Sequence, residues 1–439
     1  MKIHEEDIVR LWQSGRCRFL SGSEDNIIRI IYPGRRNGQP GGDFRDAVIE
    51  VNGKRHYGNV EIHVSSDLWY RHGHHINKEY NSVILQVVVW DTGRRPALRQ
   101  DGRQIHTLIL DIDHEILNAL VNGYADFSPL VCKYAVAMFK SGSLLELLTV
   151  EGLARLVSKS DGFYRGLGVS RPEKIIYKGI CRALGYASNT EPFEHLAEHL
   201  PTEFLNGCWQ GDLVDIQAKV AGMAGLLPSQ NKEMSTIHDD GMITVMEDIW
   251  AGWSAGRQEM ERAQWNFVQV RPVNNPVRRV ASLCALIKRY EDESLLTHFD
   301  VLIQSESAYN IWQSLEDSLA IGKEPYWRDH YDFGLKMGKA TSLLGRGRAR
   351  EIVVNCILPF FLAFYRRMRL NSMVARVVEI YCGYPSLPEN TISRYMKNIL
   401  FKDCKPVLNG CQHQGLLNIY YNYCKIKDCQ RCPVSLIRS

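Results

Sequence analysis

A single change of rhythm constrains the fold of this chain more than any other feature. Up to about residue 113, apolar side chains come in short, β-branched or alternating runs closed by Gly, Pro or Asn. Beyond it they recur at helical spacing to the C-terminus. Residues 3–12 read as a short helix on Ile3, Ile8, Leu11 and Trp12. Residues 27–32 form a β-branched run that stops at Pro33-Gly34, and the glycines Gly34, Gly38, Gly41 and Gly42 follow. Residues 47–51 and 57–64 read as two strands of a hairpin turned at Asn52-Gly53, because that dipeptide accepts the left-handed backbone of a tight turn. Val83–Trp90 is almost wholly apolar, as expected of a central strand covered on both faces, and residues 107–112 add another strand. Helical periodicity then starts at Ile116, Leu117, Leu120 and Val121 and continues through Leu144, Leu145, Leu147 and Leu148. The fold class this predicts is α+β: a mixed N-terminal sheet module, then a large all-helical region.

A length of 439 residues suggests two or three domains, with boundaries expected at 1–113, 114–270 and 271–439. Hydrophobic residues make up 45% and charged residues 23%, an ordinary globular balance. The net charge is only +4, from 53 Lys and Arg against 49 Asp and Glu, so any affinity for nucleic acid must come from local patches. The polar start of the chain does not read as a secretory leader. The longest apolar run, residues 352–365, is too short for a membrane span of about 20 residues and contains Asn355 and Pro359. A cytoplasmic location with no membrane partner is therefore expected.

Asp43 ends the glycine loop, and Glu61 and His63 lie on the following strand. Residues two apart on a strand share a face, so Glu61 and His63 point the same way. Two carboxylates from adjoining strands suit Mg²⁺ or Mn²⁺, which prefer oxygen ligands and activate water for phosphodiester cleavage. The order Asp, hairpin, Glu-x-Lys is the signature of the PD-(D/E)XK nucleases, and this segment resembles it, with His63 in the place of the lysine. That resemblance implies a metal site on Asp43 and Glu61, with Glu5 or Glu6 as the helical acid that some members add. Histidine at 63 would serve as base or ligand where lysine holds the attacking water. The plainer alternative is a loop-capping Asp43 and a solvated Glu61.

Directly after this strand come Asp67, Trp69, His72, His74 and His75, then Tyr80. Imidazoles titrate near neutrality and bind metals, so His72, His74 and His75 join the candidate catalytic set and Asp67 would steady one of them. If the segment is helical, His72 and His75 share a face. A zinc hydrolase on His63, His72 and His75 is thus an alternative, although no His-Glu-x-x-His pattern is present.

The blocks Gly41-Gly42-Asp43-Phe44-Arg45-Asp46-Ala47, Gly58-Asn59-Val60-Glu61-Ile62-His63-Val64, Ser66-Asp67-Leu68-Trp69-Tyr70-Arg71-His72-Gly73-His74 and Tyr80-Asn81-Ser82-Val83-Ile84-Leu85-Gln86 resemble an uncharacterised bacterial family of unknown function. The resemblance continues through Ala183-Leu184-Gly185-Tyr186, Arg271-Pro272 and Gln414-Gly415-Leu416-Leu417, and implies a cysteine-bearing tail. One departure is Gln86, where the family pattern has histidine; if that histidine belongs to the site, this member is weakened.

Of twelve cysteines, seven are scattered, mostly within apolar segments, and five crowd the end: Cys404, Cys411, Cys424, Cys429 and Cys432. The spacing Cys411-x12-Cys424-x4-Cys429-x2-Cys432-Pro433 predicts a four-thiolate metal knot, holding zinc or an iron–sulfur cluster, with a structural role. His413 and Cys404 are substitute ligands. The tail also resembles that of iron–sulfur-stapled nucleases, with different spacing. A run of arginines, Arg346, Arg348 and Arg350 with Arg366, Arg367 and Arg369, forms a candidate nucleic-acid contact, and Arg278, Arg279, Lys288 and Arg289 form a second basic group. The alternative is that these arginines pair with acids. Together these features predict a metal-dependent phosphodiesterase acting on nucleic acid; the rival is a non-catalytic nucleic-acid- or protein-binding scaffold on a degenerate nuclease fold.

Overall fold

The computed structural model describes residues 4–14, 18–22, 27–37, 40–93, 95–111, 132, 135, 142–186, 188–200, 211–231, 240–267, 270–305, 311–401, 406–426 and 428–436. The chain divides into two compact units: Met1–Gly152 with Glu389–Val407 and Gln412–Ser439, and Leu153–Pro388 with Leu408–Cys411. The helix expected around Ile116 and Leu120 lies outside the described residues.

The first unit is built on a mixed sheet. In chain order its elements are helix α1 (Glu5–Ser14), strands β1 (Arg18–Gly22), β2 (Ile28–Tyr32), β3 (Arg35–Arg36), β4 (Phe44–Val51) and β5 (Lys54–Ser65), the one-turn helix α2 (Leu68–Arg71), and strands β6 (Val83–Trp90) and β7 (His106–Asp111). The sheet order is β1-β7-β6-β5-β4-β2, with β3 also on β4. β2, β4 and β5 run antiparallel, whereas β5, β6 and β7 run parallel to one another. The predicted hairpin is present. Asn52 and Gly53 take φ of 49° and 81°, the left-handed pair that a two-residue turn needs, and Val51 pairs with Lys54. β6 lies between two parallel neighbours with Val83, Leu85, Val87 and Val88 buried, which explains its lack of alternation.

Helix α1 lays Ile8, Leu11 and Trp12 on the sheet against Ile49, Ile62 and Val87, and the Trp12 indole donates to the Pro33 carbonyl at 3.0 Å. Two strands were not expected from sequence. β3 is two residues long, and β1 is short and interrupted by a register shift, so neither carries a readable alternation.

The C-terminal segment also belongs to this unit. Gly415 sits where a Cβ would lie 2.0 Å from the Leu148 carbonyl, so only glycine permits that approach, and Asn418 donates to Glu151 at 2.7 Å. The Tyr420 ring meets Tyr32 of β2 at 6.3 Å, and Lys425 reaches Asp46 of β4 at 3.8 Å.

The second unit is mainly helical around one large apolar core. Its helices include Pro172–Leu184, Thr190–His199, Pro276–Arg289 and Leu358–Met368. Two details depart from an all-helical reading. A small antiparallel ribbon joins His330–Asp332 to Leu335–Lys336. The apolar run at 352–365 is interrupted by a π-helical turn, Val353–Ile357, ahead of Pro359. Asn355 in that turn donates to the Glu351 carbonyl at 2.9 Å and accepts from Lys159. Among the described residues no helix is long and apolar enough to cross a membrane.

A candidate carboxylate–histidine metal centre

The site forms where the hairpin edge passes under α1. A register shift between Phe44 and Ala47, with Asp46 at φ 60°, bends the start of β4. Asp43 is thereby set beside β5: its backbone N–H donates to Glu61 Oε2 at 3.0 Å, and its Oδ2 accepts from the Ile62 amide at 3.0 Å. Arg36 grips the other oxygen of Asp43 at 2.7 Å and also reaches Glu6 at 3.2 Å. Of the two helical acids, Glu5 is the one that reaches the site. Its Oε1 is buried without a partner, and Glu5 feels the charges of His72, Asp43 and His74.

Glu61 and His63 share a face, as strand alternation requires. Glu61 Oε1 lies 3.7 Å from His63 Nε2 and 3.2 Å from His74 Nε2. Gln86, paired with Glu61 on β6, places its amide nitrogen 3.0 Å from His63 Nδ1 and donates to the Ser66 carbonyl at 3.2 Å. Gln86 is therefore in contact with the site through His63.

The histidine cluster differs from the expected set in one member. The segment is not a continuous helix: α2 ends at Arg71, and Gly73 takes φ 74° before a 3₁₀ turn at His74–Ile76. That break cancels the helical relation between His72 and His75. His74 turns inward instead, and His75 packs on Tyr70 with ring centroids 4.7 Å apart. Among the described residues, His63, His72 and His74 form a group whose ligating atoms all lie within 4.8 Å of one another. Trp69, fully buried and anchored to the Leu98 carbonyl at 2.8 Å, forms the floor, and Tyr80 stacks on His74 at 3.8 Å. Asp67 accepts from Ser65 and stands 3.7 Å from Arg71. Beside it opens a cavity of about 350 Å³ lined by Ser66, Asp67, Tyr70, Arg71, Thr92 and Arg95.

The electrostatics are those of a crowded acidic pocket. Burial, reinforced by Asp43, pushes the Glu61 carboxyl up to about 9. Burial also raises Glu5, and it holds Tyr80 up at about 12 with help from Glu61 and Asp43. Burial and the neighbouring imidazoles drive His63 down to about 3, and burial lowers His74. The imidazoles of His63 and His74 are thus neutral at pH 7. The Nε2 atoms of His63 and His74 are buried without a hydrogen bond of good geometry. The orphaned Glu5 oxygen, the Glu61 carboxylate and the three clustered imidazoles are donors of the kind that hold a divalent cation. Arg36 was not anticipated from sequence; its only signal was its place at the mouth of the glycine loop.

The other expected contacts lie elsewhere. Arg346, Arg348 and Arg350 are in the second unit, and each is paired with an acid: Arg346 with Asp317 at 2.6 Å, Arg348 with Glu351, and Arg350 with Glu316 at 2.9 Å. Arg278 and Arg279 form no basic surface. They are buried, and Arg278 donates to the carbonyls of Trp327, His330 and Ser342. Cys411 also falls in the second unit, where its thiol meets Cys382. Cys424, Cys429 and Cys432 are in the first, as is His413, while Cys404 lies outside the described residues.

The fold and site define a mixed-sheet α/β protein with a buried carboxylate–histidine centre joined to a helical unit. The chain belongs to the family described as Protein of unknown function (DUF2851), whose model matches residues 5–389. The cysteine-bearing tail lies beyond that match. No curated protein and no solved structure matches the chain.

Proposed function

We propose that this protein is a divalent-metal-dependent phosphodiesterase acting on nucleic acid. The observation that carries the reading is the convergence on Glu61: Asp43 is hydrogen-bonded to it, His74 stands at 3.2 Å and His63 at 3.7 Å. The order Asp, hairpin, Glu-x and the helical acid Glu5 support the PD-(D/E)XK resemblance. Glu61, Asp43 and Glu5 would hold Mg²⁺ or Mn²⁺, which supplies Lewis acidity and lowers the pKa of water. His63, kept neutral by burial and held by Gln86, is suited to orient that water rather than to take its proton. Asp67 faces the cavity next to it, and Arg71 and Arg95 offer cationic charge for the flanking phosphates.

The close grouping of His63, His72 and His74 favours one second reading, a zinc hydrolase, because three imidazoles leave an open position on a catalytic zinc. Incubation with labelled single- and double-stranded DNA and RNA in Mn²⁺, Mg²⁺ or Zn²⁺ separates these readings. Cleavage in Mn²⁺ or Mg²⁺ that is lost in Asp43→Ala and Glu61→Ala is expected. Hydrolysis that needs zinc and His72 favours the second reading. Binding with no metal-dependent cleavage would leave a scaffold.

A further inference from the structure

The tail spacing places three cysteines in one short stretch of the first unit. Cys424 opens a 3₁₀ turn, Cys424–Ile426, and Cys429 and Cys432 bracket the turn that leads into the helix Pro433–Leu436. The turn is tied on both sides: Ser435 donates through its amide to the Cys432 carbonyl at 2.9 Å and through its hydroxyl to the Cys429 carbonyl. Asp428 donates its amide to the Tyr423 carbonyl at 3.0 Å and is paired with Arg431. Cys432 is buried and Cys424 is half-buried.

The fourth thiol of this neighbourhood is not Cys411, which meets Cys382 in the other unit. It is Cys132, far away in sequence. Its amide donates to the Ile399 carbonyl at 2.8 Å, which fixes it to the helix Thr391–Phe401. Tyr395, one turn earlier on that helix, feels Cys424 and Cys429. Cys424 in turn feels Cys432, Cys132 and Cys429, and Cys432 feels Cys132 and Cys429, each as a like-charged neighbour. Four thiols on three separate segments thus share one neighbourhood.

We propose that Cys132, Cys424, Cys429 and Cys432 hold an iron–sulfur cluster that staples the tail onto the sheet. Spacing favours a cluster over a single zinc. Thiolates around one tetrahedral zinc stand roughly 3.8 Å apart, from a Zn–S bond of about 2.3 Å. No three of these thiols come within 4.8 Å of one another, whereas an iron–sulfur cluster interposes irons and sulfides and keeps its cysteines farther apart. The turn bearing Cys424 lies on β2 and β4, the strands that lead to Asp43.

The full-length protein, purified anaerobically, tests this. Iron and acid-labile sulfide in equal amounts, with visible absorption that bleaches on chelation, are expected. Cys132→Ser should lose them, whereas Cys411→Ser should keep them. Zinc in place of iron, or a cluster kept in Cys132→Ser and lost in Cys411→Ser, overturns the proposal. If Cys132→Ser does not fold, alkylation of the wild-type protein gives the answer. Cys132, Cys424, Cys429 and Cys432 should be protected together and become reactive together on bleaching; a Cys132 that reacts independently of the other three overturns it.

Discussion

Glu61 behaves unlike a surface carboxylate because it is buried beside Asp43 and Glu5, and Arg36 offsets their charge only in part. A carboxyl whose pKa is raised in the folded state binds its proton more tightly there than in the unfolded chain. The metal-free protein is therefore most stable at low pH with respect to this group, and that stability is lost as pH climbs from the ordinary value of 4.5 toward about 9. The loss is on the order of a few kcal/mol, since each pKa unit is about 1.4 kcal/mol. Thermal melts of metal-free protein should fall across that window, and Glu61→Gln should flatten the fall and melt higher at pH 8. Mn²⁺ should restore the wild type and not the variant. Parallel pH profiles for the two proteins would remove Glu61 from the strained centre. His63 opposes this trend more weakly: held neutral by burial, it contributes stability above its ordinary value of 6.5 that is lost as pH falls toward about 3.

The elements around the site are set by a few backbone positions rather than by propensity. Gly73, at φ 74°, ends α2 after one turn and sends His74 inward while His75 leaves. Nothing lies closer than 3.9 Å to a Cβ built there, so the cost of a side chain is conformational rather than steric. Gly73→Ala should destabilise by about 1–2 kcal/mol, the cost of a left-handed L-residue. It should weaken metal binding further by misplacing His72 and His74. Titration calorimetry with Mn²⁺ or Zn²⁺ checks this, and unchanged affinity would place the histidines outside the site. Gly58 is a different case: a Cβ there would meet Ile84 and the Ser82 carbonyl at 2.5 Å, so glycine lets β5 and β6 approach. The same spacing of Asp43, Glu61 and His63 could not reveal the register shift at Asp46 that brings Asp43 against Glu61, because a bulge has no period.

At the scale of the whole molecule, Arg278 stands for what the second unit requires. It lies in the helix Pro276–Arg289 with its guanidinium buried among carbonyls from the segment 327–342. Burial lowers its pKa to about 10, and its hydrogen bonds run to main-chain carbonyls and the Thr341 hydroxyl. Arg278→Met leaves several buried carbonyls unsatisfied and should cost about 3 kcal/mol or more, at about 1–3 kcal/mol per group. Denaturant titration of the full chain checks this, and a loss below about 1 kcal/mol would mean that water replaces the guanidinium. As a linear string, arginines 278 and 279 look like the basic face of a helix; only the packing of a distant ribbon and loop against them makes them internal.

By itself the sequence determined what depends on local period and local chemistry. The switch from strand to helix, the Asn52-Gly53 turn, the covered strand Val83–Trp90 and the common face of Glu61 and His63 all follow from backbone geometry a few residues long. Tertiary structure decided what depends on distant chain segments meeting. It selected Glu5 over Glu6 and His74 over His75, brought Arg36 and Gln86 to the site, paired Arg346, Arg348 and Arg350 with acids, and separated Cys411 from the tail cysteines while bringing Cys132 to them. Those choices are made by burial and by register between segments tens to hundreds of residues apart, and no window of sequence contains both partners.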